Sequence, residues 1–286
     1  MESYLCIVRS LAEWAQADPA GLDEERVRDF FLHLKRERGY APQSMRQARA
    51  ALSAFYVEML GREEWTVFSH IKTRDTVKLP DVLTAEEVRR LLGGVREMRF
   101  RVCLRLIYEC GLRLGEALRV APRDIGRQAL RLHVRQGKGG KDRYVPLSPL
   151  MIDELTEWWY MHRNKTWMFP SIGYDAKGAR RTTAEAEALA LGARMKLAEK
   201  PMSESALQMA FTRARHDSGL KKHATIHTLR HSYATHMLES GISLRFVSQY
   251  LGHARLEQTL VYTHLTAVSE AQTQAALDRM SRSVRD

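Results

Sequence analysis

The sequence predicts a mainly α-helical protein of two domains, with a small antiparallel β-sheet in the second domain. Three observations support this fold class. The chain has 286 residues, which is enough for two domains of ordinary size. Apolar residues recur at helical spacing through the first 60 residues and again from residue 84. Only residues 129–147 change to an alternation of apolar and polar residues, which is typical of a β-hairpin.

The N-terminal domain, residues 1–78, is predicted to be entirely helical. Helices are expected at residues 2–16, 23–38 and 42–60, because each carries an apolar stripe and is followed by turn-forming Pro or Gly. Residues 61–81 lose this periodicity and end in Lys-Leu-Pro-Asp, so we interpret them as the interdomain linker.

The second domain, residues 79–286, opens with a strong helix signal. Thr84 and Glu87 have the Thr-x-x-Glu spacing of a capping box, directly before an apolar run. Residues 99–120 predict one or two more helices, with a break at Gly111. This part of the domain is therefore expected to be helical.

A β-hairpin is predicted next. Its strands are residues 129–135 and 143–147, and the Gly-rich turn between them places Lys138 and Lys141 at the tip. Beyond the hairpin helical spacing returns, except in residues 172–200, where an Ala-rich, helix-prone segment at 183–196 is flanked by loop-like sequence without a clear pattern.

The charge distribution favours a polyanionic partner. The net charge is +11, and the first 80 residues carry 12 basic and 12 acidic side chains, so the whole excess lies in the remainder. Residues 89–143 alone carry 15 basic and 5 acidic side chains. Clustered Arg and Lys bind nucleic acids because they neutralise phosphates and release counterions.

The composition also excludes several classes of protein. With 44% hydrophobic and 28% charged residues, the chain is neither disordered nor collagen-like. No apolar run approaches the roughly 20 residues that span a bilayer, and the N-terminus lacks the basic start of a signal peptide. Three cysteines without metal-ligand spacing indicate reduced thiols. We therefore expect a cytoplasmic protein without a membrane partner.

Four separated segments carry side chains suited to phosphate chemistry. They are Cys-Gly-Leu-Arg-Leu-Gly-Glu-Ala-Leu (110–118), Gly-Lys-Gly-Gly-Lys-Asp-Arg (137–143), His-Thr-Leu-Arg-His-Ser-Tyr-Ala-Thr-His (227–236), and Leu-Gly-His (251–253) followed by Tyr-Thr-His (262–264). Guanidinium groups bind phosphate oxygens, imidazoles move protons near neutral pH, and a deprotonated phenol is a nucleophile. Together these groups fit a phosphoryl-transfer site that uses no metal ion.

Taken singly, these residues have simpler explanations. Arg113 and Glu116 have the spacing of an i,i+3 surface ion pair, and the lysines of the hairpin have the position of ordinary surface charges. Tyr262 could pack at a helix end. His231 and His236 are interpreted as structural.

A metal site is the competing interpretation of the histidines. His223, His227 and His231 are spaced by four residues, which suits metal ligands on one helix face. Thr225 and Ile226 lie at the expected start of that helix, which places His223 in a loop. We therefore predict neither a metal ion nor a cofactor.

The order of these residues resembles the tyrosine recombinase family of site-specific integrases. The resemblance covers residues 83–265. The family pattern of Arg, Lys, His-x-x-Arg, His or Trp, and Tyr is matched by Arg113, Lys138, His227, Arg230, His253 and Tyr262. The words Val-Leu-Thr-Ala-Glu-Glu-Val and Gly-Lys-Gly-Gly-Lys-Asp-Arg are most similar to integron-integrase and Xer-like members. The resemblance thus implies DNA integration or excision by a mobile element.

The resemblance implies a role for each residue. Tyr262 attacks the scissile phosphate, which gives a 3′-phosphotyrosyl link and a free 5′-hydroxyl, while the two arginines hold the non-bridging oxygens. Lys138 protonates the leaving 5′-oxygen. His227 accepts the Tyr262 proton, and His253 donates to the phosphate. A second 5′-hydroxyl then reseals the strand without ATP.

The resemblance also implies the partners. They are double-stranded DNA with a specific recombination site and three further copies of the chain, forming a homotetramer on two sites, with no small-molecule substrate. The N-terminal domain is expected to bind the core of the site. Candidate DNA contacts are polar residues that begin the third helix or lie on the hairpin: Gln43, Ser44, Arg46, Arg49, Lys141 and Arg143.

Three alternative functions remain open. They are a type IB topoisomerase-like enzyme, a non-catalytic DNA-binding protein and a metal-dependent nuclease.

Overall fold

The computed structural model describes residues 2–71, 81–135, 142–172, 191–253, 255–263 and 282. The chain divides into two compact units, Met1–Lys78 and Leu79–Asp286. The described part is mainly helical with one three-stranded antiparallel sheet, which confirms the predicted fold class. Within these ranges, no helix is both long and apolar enough to cross a bilayer.

The described part of the first unit is helical. It contains α1 (Glu2–Ala15), α2 (Glu24–Arg36), α3 (Pro42–Ser53) and the short α4 (Val67–His70). α3 continues into a π-helical turn, Ala54–Met59, so the third predicted helix is present but changes its hydrogen bonding before it ends. The apolar stripes of α2 and α3 form most of the core of this unit.

Residues 61–71, which the sequence predicts to lie in the linker, are part of the folded first unit and contribute to its core. Both apolar residues of α4 are buried, and Trp65 stacks on Tyr56 with 4.5 Å between the ring centroids. A helix of four residues is too short to produce a periodic pattern. The linker prediction is therefore wrong for these residues, and its next part, 72–80, lies outside the described residues.

The helices of the second unit are α5 (Ala85–Gly93), α6 (Met98–Cys110), α7 (Leu114–Leu118), α8 (Pro149–His162), α9 (191–196), α10 (Glu204–Asp217), α11 (Ile226–Glu239), α12 (Leu244–Leu251) and α13 (Glu257–Thr263). Thr84 caps α5 with both hydrogen bonds of the predicted capping box. α6 is central, because it packs against α5, α8, α10 and α11. Residues 173–190, within the stretch that gave no clear pattern, lie outside the described part.

The predicted hairpin is present and is extended by a short third strand. β1 (Ile125–Gly126), β2 (Arg131–Val134) and β3 (Arg143–Pro146) lie in that order, and both pairings are antiparallel. Leu132 pairs with Val145, and both are fully buried. The sequence did not predict β1, because two residues cannot show an alternation.

We expect Gly111→Ala to destabilise the second unit strongly. Gly111 ends α6 with φ of +58°, and a Cβ at this position would lie 2.6 Å from the Cε1 atom of Tyr233. The left-handed conformation costs a non-glycine residue about 1–2 kcal/mol, and overpacking adds about 1–3 kcal/mol. Urea denaturation should therefore show a loss of about 2–5 kcal/mol in the free energy of unfolding.

Gly219→Ala is the matched control for this measurement. Gly219 lies in the same unit with φ of +67°, but a Cβ there would meet nothing within 4 Å. Only the conformational cost of about 1–2 kcal/mol is expected. Equal losses in the two variants would contradict a packing role for Gly111.

Candidate active site

Arg113 is positioned by the sharp turn between α6 and α7. Gly111 ends α6, and Arg113 occupies the N-cap position of α7. Its Nη1 atom donates to Oε1 of Glu116 at 2.8 Å, and its backbone N–H donates to Oε2 at 2.8 Å. The i,i+3 pair is thus present. Its carboxylate is buried, however, whereas a surface ion pair was the simpler interpretation.

Arg230 lies on α11 and is only 1% exposed. Its Nη1 atom donates to the carbonyl of Gly111 at 2.6 Å, and Nη2 donates to the carbonyl of Leu251 at 2.7 Å. One guanidinium group therefore connects the turn before Arg113 with the turn before His253. Burial and the charge of Arg113 lower the pKa of Arg230 to about 10, so the group remains protonated at pH 7.

Glu116 supplies the negative charge of this cluster. Arg143 donates to both of its carboxylate oxygens at 3.0 and 2.8 Å, and Nη1 of Arg230 lies 3.9 Å from Oε2. Burial opposes ionisation, but the hydrogen bonds and charge of Arg143, with the bonds from Arg113, lower the pKa of Glu116 to about 2. Among the described residues, no second carboxylate contacts these guanidinium groups. Three guanidinium charges and one carboxylate leave a net charge of +2.

Arg143 is buried, which contradicts the prediction that it contacts DNA. Its side chain is 8% exposed, its Nε atom donates to the carbonyl of Tyr250 at 2.7 Å, and both Nη atoms bind Glu116. The reason is the two-residue period of β3, which directs Arg143 to the same buried face as Val145. Arg143 instead packs closely against the turn that carries His253. A Cβ atom added to Gly252 in this turn would lie only 3.1 Å from the Cδ atom of Arg143.

Tyr262 is buried beside three histidines. It lies on α13, is 3% exposed, and its hydroxyl forms a 2.7 Å hydrogen bond with Nδ1 of His231. The His253 ring is nearly parallel to the Tyr262 ring at 6.5 Å, and Nδ1 of His253 bonds the Thr259 hydroxyl at 2.8 Å. His227 lies edge-on to His231, with 4.5 Å between the ring centroids. The hydroxyl partner is therefore His231, which the sequence predicts to be structural, and not His227, which is the predicted proton acceptor.

The protonation states of these groups follow from their burial. Burial, followed by the charge of Arg230, lowers the pKa of His227 and lowers that of His253 to about 4. Burial and the neighbouring His227 lower the pKa of His231 to about 4. Burial raises the pKa of Tyr262, and the two arginines only partly offset it. At pH 7 the site therefore holds a protonated phenol beside neutral imidazoles.

The predicted contacts on α3 lie in the first unit and face the surface at least in part. Gln43 and Arg49 are exposed, and Ser44 and Arg46 are half-buried. Arg46 donates to Oε1 of Gln43 at 2.7 Å, while Arg49 donates to the carbonyl of Phe68 at 3.4 Å. These four residues therefore stay predicted DNA contacts.

The remaining predictions concern Lys138, Lys141 and the absence of a metal ion. Lys138 and Lys141 lie in residues 136–141, outside the described part, so their roles stay predictions. His223 precedes the start of α11 at Ile226, as expected from the sequence. Within the described ranges, no group of three or more His, Cys, Asp or Glu side chains is arranged to hold a metal ion.

The second unit brings together two arginines, three histidines and a tyrosine from four separate segments, without a metal-binding cluster among the described residues. A mainly helical unit with a small antiparallel sheet is the architecture of the tyrosine recombinases. The chain belongs to the phage integrase family. The model of that family matches residues 81–268, and the model of the phage integrase N-terminal SAM-like domain matches residues 1–65.

Relatives and solved structures agree with this assignment. An integrase/recombinase of Escherichia coli is 32% identical over 92% of this chain and 82% of its own length. Tyrosine recombinase XerC of Chromohalobacter salexigens is 32% identical over 93% of this chain and 85% of its own length. The fold is shared with lambda integrase in a dimer bound to a core site, at a TM-score of 0.66 and 20% identity, covering 92% of this chain and 88% of that one. The fold is also shared with the XerH recombinase bound to its difH substrate, at a TM-score of 0.65 and 21% identity, covering 90% of this chain and 72% of that one.

Proposed function

We propose that this protein is a site-specific DNA recombinase that cuts and rejoins duplex DNA through a 3′-phosphotyrosyl intermediate on Tyr262. The observation that carries this proposal is the net charge of +2 held around Glu116 beside a buried phenol. A phosphodiester carries one negative charge, and attack by a phenolate gives a pentacoordinate transition state with two. The cluster therefore matches the transition state better than the bound substrate, which is the requirement for catalysis.

The chemical step uses the side chains that the second unit brings together, with Lys138 as the predicted acid. The Tyr262 oxygen attacks phosphorus, a new P–O bond to tyrosine forms, and the P–O5′ bond breaks. Arg113 and Arg230 neutralise the non-bridging oxygens, His253 donates to them, and a neutral imidazole beside the phenol takes up the proton of Tyr262. Lys138 gives a proton to the leaving 5′-oxygen. Because the phosphotyrosyl bond conserves the energy of the diester, a second 5′-hydroxyl reverses the step on a new strand.

Each unit has a separate part in this proposal. Residues 1–78 form the helical DNA-binding unit, with the start of α3 as its contact surface, and residues 79–286 form the catalytic unit. Two structural neighbours, lambda integrase as a tetramer on a Holliday junction and XerH with its DNA substrate, support a DNA partner and assembly into a homotetramer. The integrase names of the relatives support a role in a mobile element, in the bacterial cytoplasm.

A covalent trapping assay tests the proposal. The full chain is incubated in chelator with nicked suicide duplexes, taken from the DNA that flanks its gene and from a library with a randomised centre. A detergent-stable protein–DNA band is expected, and supercoiled plasmid without the selected site should stay supercoiled. Relaxation of any plasmid would indicate the topoisomerase-like alternative. Cleavage that requires a divalent metal would indicate a nuclease, and binding without a band would indicate a non-catalytic protein.

We expect Arg113→Lys to slow adduct formation by about 10²–10³-fold, the usual cost of one preorganised charge donor. Lysine keeps the charge but cannot bind Glu116 and a phosphate oxygen with one planar group. Gel-shift affinity should be unchanged, because Arg113 is a single contact among many phosphate contacts. The measurement is the single-turnover rate on the selected duplex.

Arg119→Lys is the matched control for Arg113→Lys. Arg119 is an exposed arginine at the end of the same short helix, α7. Its lysine variant is expected to cleave at the wild-type rate. An Arg113→Lys variant as fast as the control would remove Arg113 from the proposed site.

A further inference from the structure

The hydroxyl of Tyr262 already has a hydrogen-bond partner in the resting protein. That partner is Nδ1 of His231, at 2.7 Å. His231 lies on α11 one turn after His227, and its ring contacts both His227 and Tyr262. Neither the family pattern nor the sequence analysis gave His231 a part in the chemistry.

The other two histidines are less suited to take the phenolic proton. The described hydrogen bonds contain none between His227 and Tyr262, and His227 instead lies edge-on to His231. The Nδ1 atom of His253 is engaged by the hydroxyl of Thr259, and the ring of His253 lies face to face with that of Tyr262. Of the three imidazoles, only His231 has a ring nitrogen in hydrogen-bond contact with the nucleophilic oxygen.

The surroundings of this hydrogen bond keep both of its partners neutral. Burial, His227 and Arg230 hold His231 in its neutral form, while burial keeps Tyr262 protonated. With both groups neutral, the phenol can donate to Nδ1 if the proton of the imidazole is on Nε2, and this is the tautomer that the inference requires. A phosphodiester bound between Arg113 and Arg230 would offset the positive charge that disfavours protonation of His231. DNA binding would thereby make His231 a stronger base at the moment when Tyr262 must ionise.

We propose that His231 is a catalytic residue and receives the phenolic proton of Tyr262 during DNA cleavage. The O–H bond of Tyr262 breaks and its proton moves to Nδ1 of His231. The Tyr262 oxygen forms its bond to phosphorus as the P–O5′ bond breaks, and the departing oxygen takes its proton from Lys138. In the resealing step His231 returns the proton to Tyr262. His227 is then left to donate to the phosphate. This inference rests on the function proposed above.

The first test needs no DNA. The free protein is labelled with ¹⁵N-histidine, and the His231 signals are identified by their loss in His231→Asn. The inference expects the Nε2–H tautomer, with an Nδ1 shift that changes when Tyr262→Phe removes the donor. A proton on Nδ1 would overturn it, because the imidazole would then donate to the phenol oxygen and could not accept its proton.

The second test measures the single-turnover rate of adduct formation on the selected duplex. In His231→Asn the side-chain amide keeps a hydrogen-bonding group near the position of Nδ1 but cannot take up a proton. We expect a loss of about 10²-fold, the lower end for a general base, with unchanged gel-shift affinity. The variant's rate should also rise about tenfold per pH unit above pH 7, because hydroxide must then ionise the phenol. A merely structural role would not change this pH dependence.

The same helix supplies a matched control. His236 bonds the hydroxyl of Tyr108 through Nδ1 at 2.9 Å, which is a second His–Tyr pair on α11 that does not involve Tyr262. His236→Asn is expected to leave the cleavage rate unchanged. If His231→Asn also cleaves at the wild-type rate, the inference is wrong.

A duplex with sulfur in place of the bridging 5′-oxygen separates the two proton transfers. The thiolate leaving group needs no proton from an acid. The rate of adduct formation should therefore still be reduced in His231→Asn on this substrate, whereas the rate of Lys138→Ala should return to that of the wild type. If His231→Asn instead forms the adduct at the wild-type rate on the sulfur-containing duplex, then His231 acts at the leaving group and the inference is wrong. A wild-type protein that forms no adduct on any duplex would refute the proposed function, and the tautomer would still decide whether His231 accepts from Tyr262.

Discussion

Replacing Tyr262 by phenylalanine is expected to reduce the covalent protein–DNA adduct to background. The substitution removes only the hydroxyl group, whose oxygen is the proposed nucleophile. The ring keeps its place in the small core formed with Tyr233, Val247 and Leu251. The free energy of unfolding should fall only by about 1 kcal/mol, the usual net value of one hydrogen bond. Trapping in chelator, circular dichroism and gel shift together measure these effects.

Tyr108→Phe is the control for this prediction. It removes a comparable hydrogen bond, to His236, from the same unit. It should cost a similar free energy of unfolding but leave the adduct unchanged. A Tyr262→Phe protein that still forms the adduct would show that another residue is the nucleophile.

Glu116→Gln is expected to destabilise the second unit by about 3–5 kcal/mol, the cost of leaving buried charge without its partner. The carboxylate is 2% exposed and accepts hydrogen bonds from Arg113 and Arg143. Glutamine keeps the shape but removes the charge that holds three guanidinium groups together. Cleavage should also fall, because Arg113 loses the group that orients it. Urea denaturation and single-turnover kinetics measure the two effects.

The pH dependence isolates the contribution of this carboxylate. The pKa of Glu116 is about 2 in the folded protein against an ordinary 4.5, so its stabilisation is complete above pH 4.5 and is lost as the pH falls towards 2. That shift corresponds to about 3 kcal/mol. Wild type should lose about that much more stability than Glu116→Gln over this range. Parallel curves for the two proteins would contradict the assignment.

Two further variants complete the test of Glu116. Adding Arg143→Met to Glu116→Gln removes a buried charge that has lost its partner, so the double variant should be more stable than the sum of the single effects predicts. Glu86→Gln, at an exposed pair with Arg89, should change stability little. If Glu116→Gln behaves like Glu86→Gln, the buried cluster does not stabilise the unit.

The sequence predicted those elements whose signals are local. Thr84 and Glu87 form their capping box, and the alternating residues around Leu132 form the paired strand. These features depend on neighbours within a few residues, so a single sequence is sufficient. The short α4 and β1 were missed, since two to four residues cannot establish a period.

The environment of the site could be predicted only in part. The set of arginines, histidines and tyrosine is visible as separate words, and the second unit does bring the described ones together. The burial of Arg143 is not visible, because its partners Glu116 and Tyr250 lie 27 and 107 residues away in the chain. The contact of His231 with Tyr262 spans 31 residues and depends on how α11 and α13 pack. The sequence therefore predicted a DNA contact for Arg143 and a structural position for His231.

The most direct test of the central claim is to locate the covalent bond itself. The adduct formed in chelator is digested with nuclease and protease, and the modified peptide is sequenced by mass spectrometry. The account predicts a nucleotide joined through its 3′-phosphate to the oxygen of Tyr262, with a free 5′-hydroxyl on the other side of the break. A nucleotide on any other residue, or a 5′-phosphate linkage, would contradict it.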